Sequence, residues 1–216
     1  MNSCSSWAAV KGRCLRAATP VFFLLFCLTK SSLCADPVPF AVLHSFDGAS
    51  GITPLSGLVH GVDGNFYGTT ESGGTANRGT IYKITPAGTL NTLYGLADGT
   101  LGKNPVAKLA LGADGNFYGT ASLGGGNSEV VSYKVTPAGF YSVVYAFMRG
   151  TGGHPMEGLT LGTDGNFYGV LPFGDASSGL VFQVTPAGAY ADLHTLTGAD
   201  GVMPSGDLAL GPDGNF

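Results

Sequence analysis

Beyond residue 35 the sequence has no cysteine; Cys4, Cys14, Cys27 and Cys34 all precede that point. The remainder therefore forms no disulfide and no cysteine-ligated metal site, and must draw its stability from packing. Charge is also scarce. Charged residues make up 11% of the chain and hydrophobic ones 44%, the reverse of the composition that keeps a chain disordered. No segment shows the apolar spacing of an amphipathic helix. No two histidines stand four apart, which excludes the helical zinc-hydrolase motif. No Gly-x-Ser-x-Gly elbow is present for a serine nucleophile. The strings "SGGTANRG" and "LGGGNSE" lack the following Lys-Ser/Thr of a phosphate-cradling loop and read as inter-strand loops.

What is present begins with a leader. Lys11, Arg13 and Arg16 precede the apolar run "TPVFFLLFCL" at 19–28, and small and polar residues follow. This is the order of a secretory signal peptide, and the run is shorter than the roughly 20 residues of a membrane span. Residues 1–35 are expected to be the signal peptide, cleaved near Ala35, with the mature chain secreted or at the cell surface. Removing them leaves six Lys/Arg against fourteen Asp/Glu, a net charge of −8. Such an acidic chain without a basic cluster is a poor partner for nucleic acid.

Residues 36–216 are periodic. "DGNF" starts at 63, 114, 164 and 213, and "TPAG" at 85, 136 and 185. Pro54, Pro105, Pro155 and Pro204 keep the same spacing of 51, 50 and 49 residues. One unit reads as four short strands, exemplified by "VLHSF" (42–46), "GLVHG" (57–61), "NFYGTT" (65–70) and "TIYKIT" (80–85). The Asp-Gly pairs Asp63-Gly64, Asp114-Gly115, Asp164-Gly165 and Asp213-Gly214 mark the turn between second and third strands, because these residue types tolerate positive φ. Their aspartates are expected to cap their own backbone rather than bind calcium, since the loop lacks the alternating acids and final glutamate of an EF-hand. In the third strand Phe66 and Tyr67 point to opposite faces, so this strand should be sandwiched between neighbouring sheets. Gly68, Gly119 and Gly169 follow each ring pair and are expected where another backbone approaches closely. The fourth strand, with Tyr82 and Ile84 on one face and Ile81 and Lys83 on the other, reads as a half-solvated outer strand.

Four strands per ~50-residue unit, with one strand covered on both faces, give an all-β, β-propeller-like fold of tandem four-stranded repeats, about 3.5 blades in these residues. The expected units are 42–91, 92–142, 143–191 and a partial 192–216. Because the last motif breaks off at "DGNF", the chain reads as truncated at its C-terminus.

The run "GTIYKITPAGTLNTLYGL…P…LALGADGNFYGT" resembles the GloVer (Gloeo/Verruco) tandem repeat of exported bacterial proteins, over about 42–216. The resemblance implies export, often with a C-terminal sorting or anchoring signal, and supplies no catalytic residue. The sequence departs from the repeat pattern at "VLPFGDASSG" and shows no C-terminal anchor.

Other candidate residues are few. His44 and His194 occupy the repeat position of Tyr94 and Tyr145, which explains them as packing residues. His60 stands where Leu111, Leu161 and Leu210 stand, an adapted packing position. His154 occupies the loop position of Thr53, Asn104 and Met203. Glu71, Glu129 and Glu157 are the only glutamates and are out of phase, so no convergent acid pair is evident. No catalytic, cofactor or metal residue is assigned. The loops at 71–79, 122–130 and 171–179 vary while the strands do not, which is where binding usually resides on a fixed scaffold. The expected role is binding or structural, at the cell surface, toward a carbohydrate or protein. An exported propeller enzyme acting on polysaccharide or a related polymer is the alternative.

Overall fold

The alternation of β-branched and aromatic residues between glycine-rich turns favours strands throughout, and the computed structural model contains no helix among its described residues, 40–97, 101–124, 129–147, 157–173 and 178–216. The leader lies outside them. Twelve strands form three antiparallel four-stranded sheets. The first holds β1 (Val59–His60), β2 (Phe66–Thr70), β3 (Thr80–Ile84) and β4 (Leu90–Gly95) in that order. The second repeats it with β5 (Ala110–Leu111), β6 (Phe117–Gly124), β7 (Glu129–Val135) and β8 (Tyr141–Phe147). The third has β9 (Thr160–Leu161), β10 (Phe167–Leu171), β11 (Leu180–Val184) and β12 (Tyr190–Thr195). All lie in one unit, Ala41–Phe216. The repeated blades form a propeller-like array, and the described sheets do not complete a ring.

The sheets are offset from the sequence units. Each takes the second, third and fourth strands of one unit and the first strand of the next; β4, for instance, lies at the head of the unit starting at 92 and pairs with β3 through Ile84↔Leu90. The fourth strand is accordingly not the outer one. β3 is flanked on both sides and largely buried, whereas β4 and β12 are the half-exposed edges. A register shift recurs at the same place in each outer pair, between Ile81/Tyr82, Ser132/Tyr133 and Val181/Phe182. It adds one residue to the outer strand and increases local twist. The segment 42–46, expected as a strand, has no ladder among the described residues.

The core sits between blades. Tyr67 and Ile81 of the first sheet pack with Phe117, Val131, Tyr133 and Val135 of the second. Tyr118, Val130 and Phe147 of the second pack with Phe167, Phe182 and Val184 of the third. The Phe-Tyr pair hands this contact from blade to blade. Tyr67 stacks on Phe117 at 3.9 Å between centroids, and Tyr118 meets Phe167 at 4.1 Å and Tyr168 meets Phe216 at 4.4 Å with tilted rings. These spacings are at or just below the short end of the range for aromatic pairs. Threonine hydroxyls add polar links, Thr69 to the Ala107 carbonyl (3.4 Å) and Thr120 to that of Glu157 (3.1 Å).

The glycine after each ring pair has a different role from the one expected. Gly68 faces Tyr82, and Gly119 faces Tyr133, across the sheet. A Cβ at Gly119 would lie 2.6 Å from the Tyr133 hydroxyl and 2.7 Å from the adjoining ring carbon. The missing side chain makes room for an aromatic ring folded over the neighbouring strand, not for another backbone. The Tyr133 hydroxyl is buried there without a partner among the described residues, and the equivalent residue of the third sheet is Phe182.

Candidate functional site

Antiparallel order places the loops at two ends. The Asp-Gly hairpins and the "TPAG" turns share one end; the loops at 71–79 and the connections from outer to next inner strand share the other.

At the turn end the Asp-Gly motifs are structural. Gly61 and Asn65 close the first hairpin (2.8 Å), and Gly64 takes a φ of 78° that glycine supplies at no steric cost. The aspartate is not itself in the left-handed region. Instead its carboxylate accepts the Asn65 backbone N–H (3.2 Å), the Asn65 side-chain amide (2.7 Å) and, four residues on, the Tyr67 hydroxyl (2.7 Å). Asp114 and Asp164 repeat all three contacts, and Asp213 repeats the first two with Asn215. Thus the turn is tied to the tyrosine ring that carries the inter-blade stack. The tyrosine bond was missed in the sequence, although the Asp-x-x-x-Tyr spacing recurs in "DGNFY".

Electrostatics follow. At Asp63 and Asp114 burial opposes ionisation, but the asparagine and tyrosine hydrogen bonds outweigh it and hold both carboxyls below the ordinary range. At Asp164 the Asn166 backbone N–H leads, and at Asp213 the Asn215 side chain, in the same direction. Tyr67 and Tyr118 are raised, by burial first and by the carboxylate second. Carboxyls with depressed folded values stabilise the fold fully above their unfolded value, about pH 4, and that contribution is lost as pH falls through the folded values. Urea unfolding at pH 7, 4 and 3 should show stability falling below about pH 4. Asp114→Asn should lower stability at pH 7 and flatten this acid limb; an acid limb as steep as wild type would assign the dependence to other carboxyls.

At the loop end, segments of adjacent connections are knitted together. Residues 47–54 lie along 71–74 through Ile52↔Ser72 and the Gly74-to-Gly48 bond of 2.9 Å. Asn104 donates its backbone N–H to Arg78 (2.8 Å) and its side-chain amide to Glu71 (3.1 Å); Met203 donates likewise to Ser178 (3.0 Å). Thr53, Asn104 and Met203, each preceding a proline, have φ of 59°, 52° and 53°. Left-handed backbone at such residues costs about 1–3 kcal/mol each and persists where the surroundings over-determine it; the bonds to Arg78 and Ser178 supply that constraint.

Between the two ends the innermost strands line a cavity of ≈ 350 Å³ whose walls include Val59, Leu109, Ala110 and Thr160. Two charged residues open on it at the loop end, Lys108 and Asp207. Both fall at the repeat position held by Gly57 and Gly158. Each lies over the glycine of the preceding repeat: Lys108 approaches Gly57, and Asp207 accepts the Gly158 backbone N–H at 2.6 Å. The substitution alternates, glycine then charge, and Lys108 and Asp207 both line the one cavity. The repeat column at 57, 108, 158 and 207 carries both in the sequence, as Gly, Lys, Gly and Asp.

The other sequence candidates do not converge. His60 is exposed on β1 with its ring edge-on to Phe66 at 5.2 Å. His194 lies on β12, 3.4 Å from Asp200, and His44 packs edge-on against Phe46. Glu71 and Glu157 contribute backbone carbonyls to the hydrogen bonds above. His154, the Glu129 side chain and the loop residues 125–128 and 174–177 lie outside the described residues. Among the described residues no three His, Cys, Asp or Glu side chains gather where they could hold a metal ion.

A profile of the Gloeobacter/Verrucomicrobia repeat matches residues 29–216. No curated protein matches the sequence. Solved structures similar to it include an X-ray structure provisionally assigned as a gluconolactonase, at 17% identity and a TM-score of 0.43 over 68% of this chain and 48% of that one. Another, provisionally assigned as a 6-phosphogluconolactonase of Bacteroides uniformis, has 20% identity and a TM-score of 0.42, over 63% of this chain and 38% of that one. The chain thus spans half or less of the length of these structures.

Proposed function

Because the chain belongs to the Gloeobacter/Verrucomicrobia repeat family, we propose that it is an exported repeat protein that binds a carbohydrate or protein at the cell surface, through the loop end of its blades. The leader composition supports export. The acidic balance disfavours nucleic acid.

The observation that carries the reading is the break in repetition at one place. The packing rings, the Asp-Gly turns and the inter-blade contacts recur from unit to unit. Lys108 and Asp207 do not, and they face a ligand-sized cavity at the end where the varying loops emerge. A scaffold that keeps its packing constant and changes its charge and loops at a shared mouth is built for recognition.

The test is a glycan and surface-protein array probed with the purified full chain. Lys108→Gly and Asp207→Gly restore the residue that the other repeats carry, so the fold should hold. Each should weaken capture of the array hit by tenfold or more, the order of one charge-assisted contact. Undiminished capture by both variants, or by a chain whose loops 122–130 and 171–179 carry the 71–79 sequence, would sink the proposal. Release of soluble fragments from a polysaccharide hit would favour the enzymatic alternative.

A further inference from the structure

We propose that the cavity between the inner strands takes a short peptide with free termini. An aliphatic side chain of the peptide fills the cavity, its C-terminal carboxylate meets Lys108 and its N-terminal ammonium meets Asp207. The inference rests on the loop end being a recognition surface and names the class of ligand that this surface selects.

The two charges have little to do in the fold itself. Glycine serves at the same repeat position in Gly57 and Gly158, so the packing of the inner strands does not call for a charge. The Lys108 ammonium has no hydrogen bond or ion pair among the described residues, where the close ion pair is His194 with Asp200. Asp207 spends one carboxylate oxygen on the Gly158 N–H (2.6 Å), and its other oxygen accepts nothing from the described residues. Both side chains are exposed at the mouth. Nor do they pair with each other, although they line one cavity. The Lys108 stem reaches back over Gly57 while Asp207 lies over Gly158, so the two charges stand over different repeats. Opposite charges that share a pocket without closing on each other leave one place for an anion and one for a cation.

The walls below them are aliphatic. Val59, Leu109, Leu111, Leu159, Leu161 and Leu208 line the cavity, and no aromatic ring does. Its one hydroxyl, that of Thr160, is already donated to the Leu208 carbonyl (2.6 Å). A sugar ring is therefore a poor occupant: its hydroxyls would be desolvated against leucine methyls without partners, at a cost for each. A branched aliphatic side chain loses nothing there and gains from burial. The volume, ≈ 350 Å³, is near the lower limit for ligand pockets and suits a di- or tripeptide rather than a long polymer. The charged ends and the main chain of such a peptide stay at the open mouth, where water satisfies what Lys108 and Asp207 do not.

Isothermal titration of the purified full chain with the tripeptide Ala-Leu-Ala tests this. The free peptide should bind, and Ala-Ser-Ala should bind at least about tenfold more weakly. Amidating the C-terminus or acetylating the N-terminus should each cost about tenfold or more, the order of one charge-assisted contact. In Lys108→Gly the penalty for amidation should vanish while that for acetylation remains. In Asp207→Gly the reverse should hold, a coupling expected only of groups in contact. Unchanged melting temperatures of both variants would show that the losses are not losses of fold. The proposal is overturned if the free peptide does not bind at millimolar concentration, if capping either end makes no difference, or if both penalties persist in both variants. A glycan that binds in place of the peptide, and is weakened by Lys108→Gly, would overturn it while leaving recognition at the loop end intact.

Discussion

Phe117→Ala should lower the unfolding free energy by about 3–5 kcal/mol. Its ring is 1% exposed and stacks on Tyr67 of the preceding blade. Truncation removes the buried ring, leaves a cavity between two sheets and exposes the Tyr67 face that it covered. Phe66 occupies the same position in the same motif, one repeat earlier, yet its ring is only half-buried and meets His60 rather than a tyrosine of another blade. Phe66→Ala should therefore cost about 1 kcal/mol, from partial loss of apolar burial. Urea unfolding followed by circular dichroism distinguishes the two. Equal losses at both positions would mean that the ring matters within its own sheet, and the blade-to-blade account of the core would fail.

Gly119→Ala should destabilise by about 2 kcal/mol, despite adding a single methyl group to a strand residue. Alanine in a strand gains about 0.5–1 kcal/mol over glycine from backbone entropy, but here the methyl has nowhere to go. It would lie 2.6 Å from the Tyr133 hydroxyl and 3.0 Å from a Leu109 methyl, on side chains that are 0% and 2% exposed. Overpacking of this kind costs typically about 1–3 kcal/mol, an effect that shows as a drop of several degrees in melting temperature for a chain of this size. Adding Tyr133→Leu, which removes the ring tip, should return part of the loss relative to Tyr133→Leu alone, a coupling expected only of residues in contact. Gly115→Ala makes a useful comparison, because a methyl there meets nothing within 4 Å and the cost comes from a φ of 75° alone.

The sequence made much of this legible. "DGNFYG" encodes a turn, a ring toward each neighbouring blade and a glycine, and each is found in the fold. What it encoded less openly has a physical cause. A periodic sequence has no intrinsic starting point, so its period predicts four strands per unit but leaves the assignment of strands to sheets open, and the sheets are offset from the units by one strand. The shift reversed the roles of β3 and β4: the polar Lys83 suggested an outer strand, but its side chain sits beside the Asp63 turn in the middle of the sheet. The glycine after the rings suggests an approach of main chain because a repeat pattern does not show cross-strand register; the pairing Gly119↔Tyr133 reveals the ring. Lys108 and Asp207 stand in the sequence as breaks in a glycine column, at positions with no motif of a catalytic residue type to mark them.

The offset between sequence unit and sheet also governs how such an array can change length. Inserting or deleting one period of 49–51 residues, starting at any point in the cycle, adds or removes one whole blade and leaves every remaining ladder with its correct partner. Unequal recombination within the coding sequence can therefore alter blade number without regard to where the break falls. A unit cut out and expressed alone, by contrast, carries four strands that cannot all join one sheet, because one of them belongs to its neighbour. Growth by whole periods is easy for this architecture, and life as a single repeat is not.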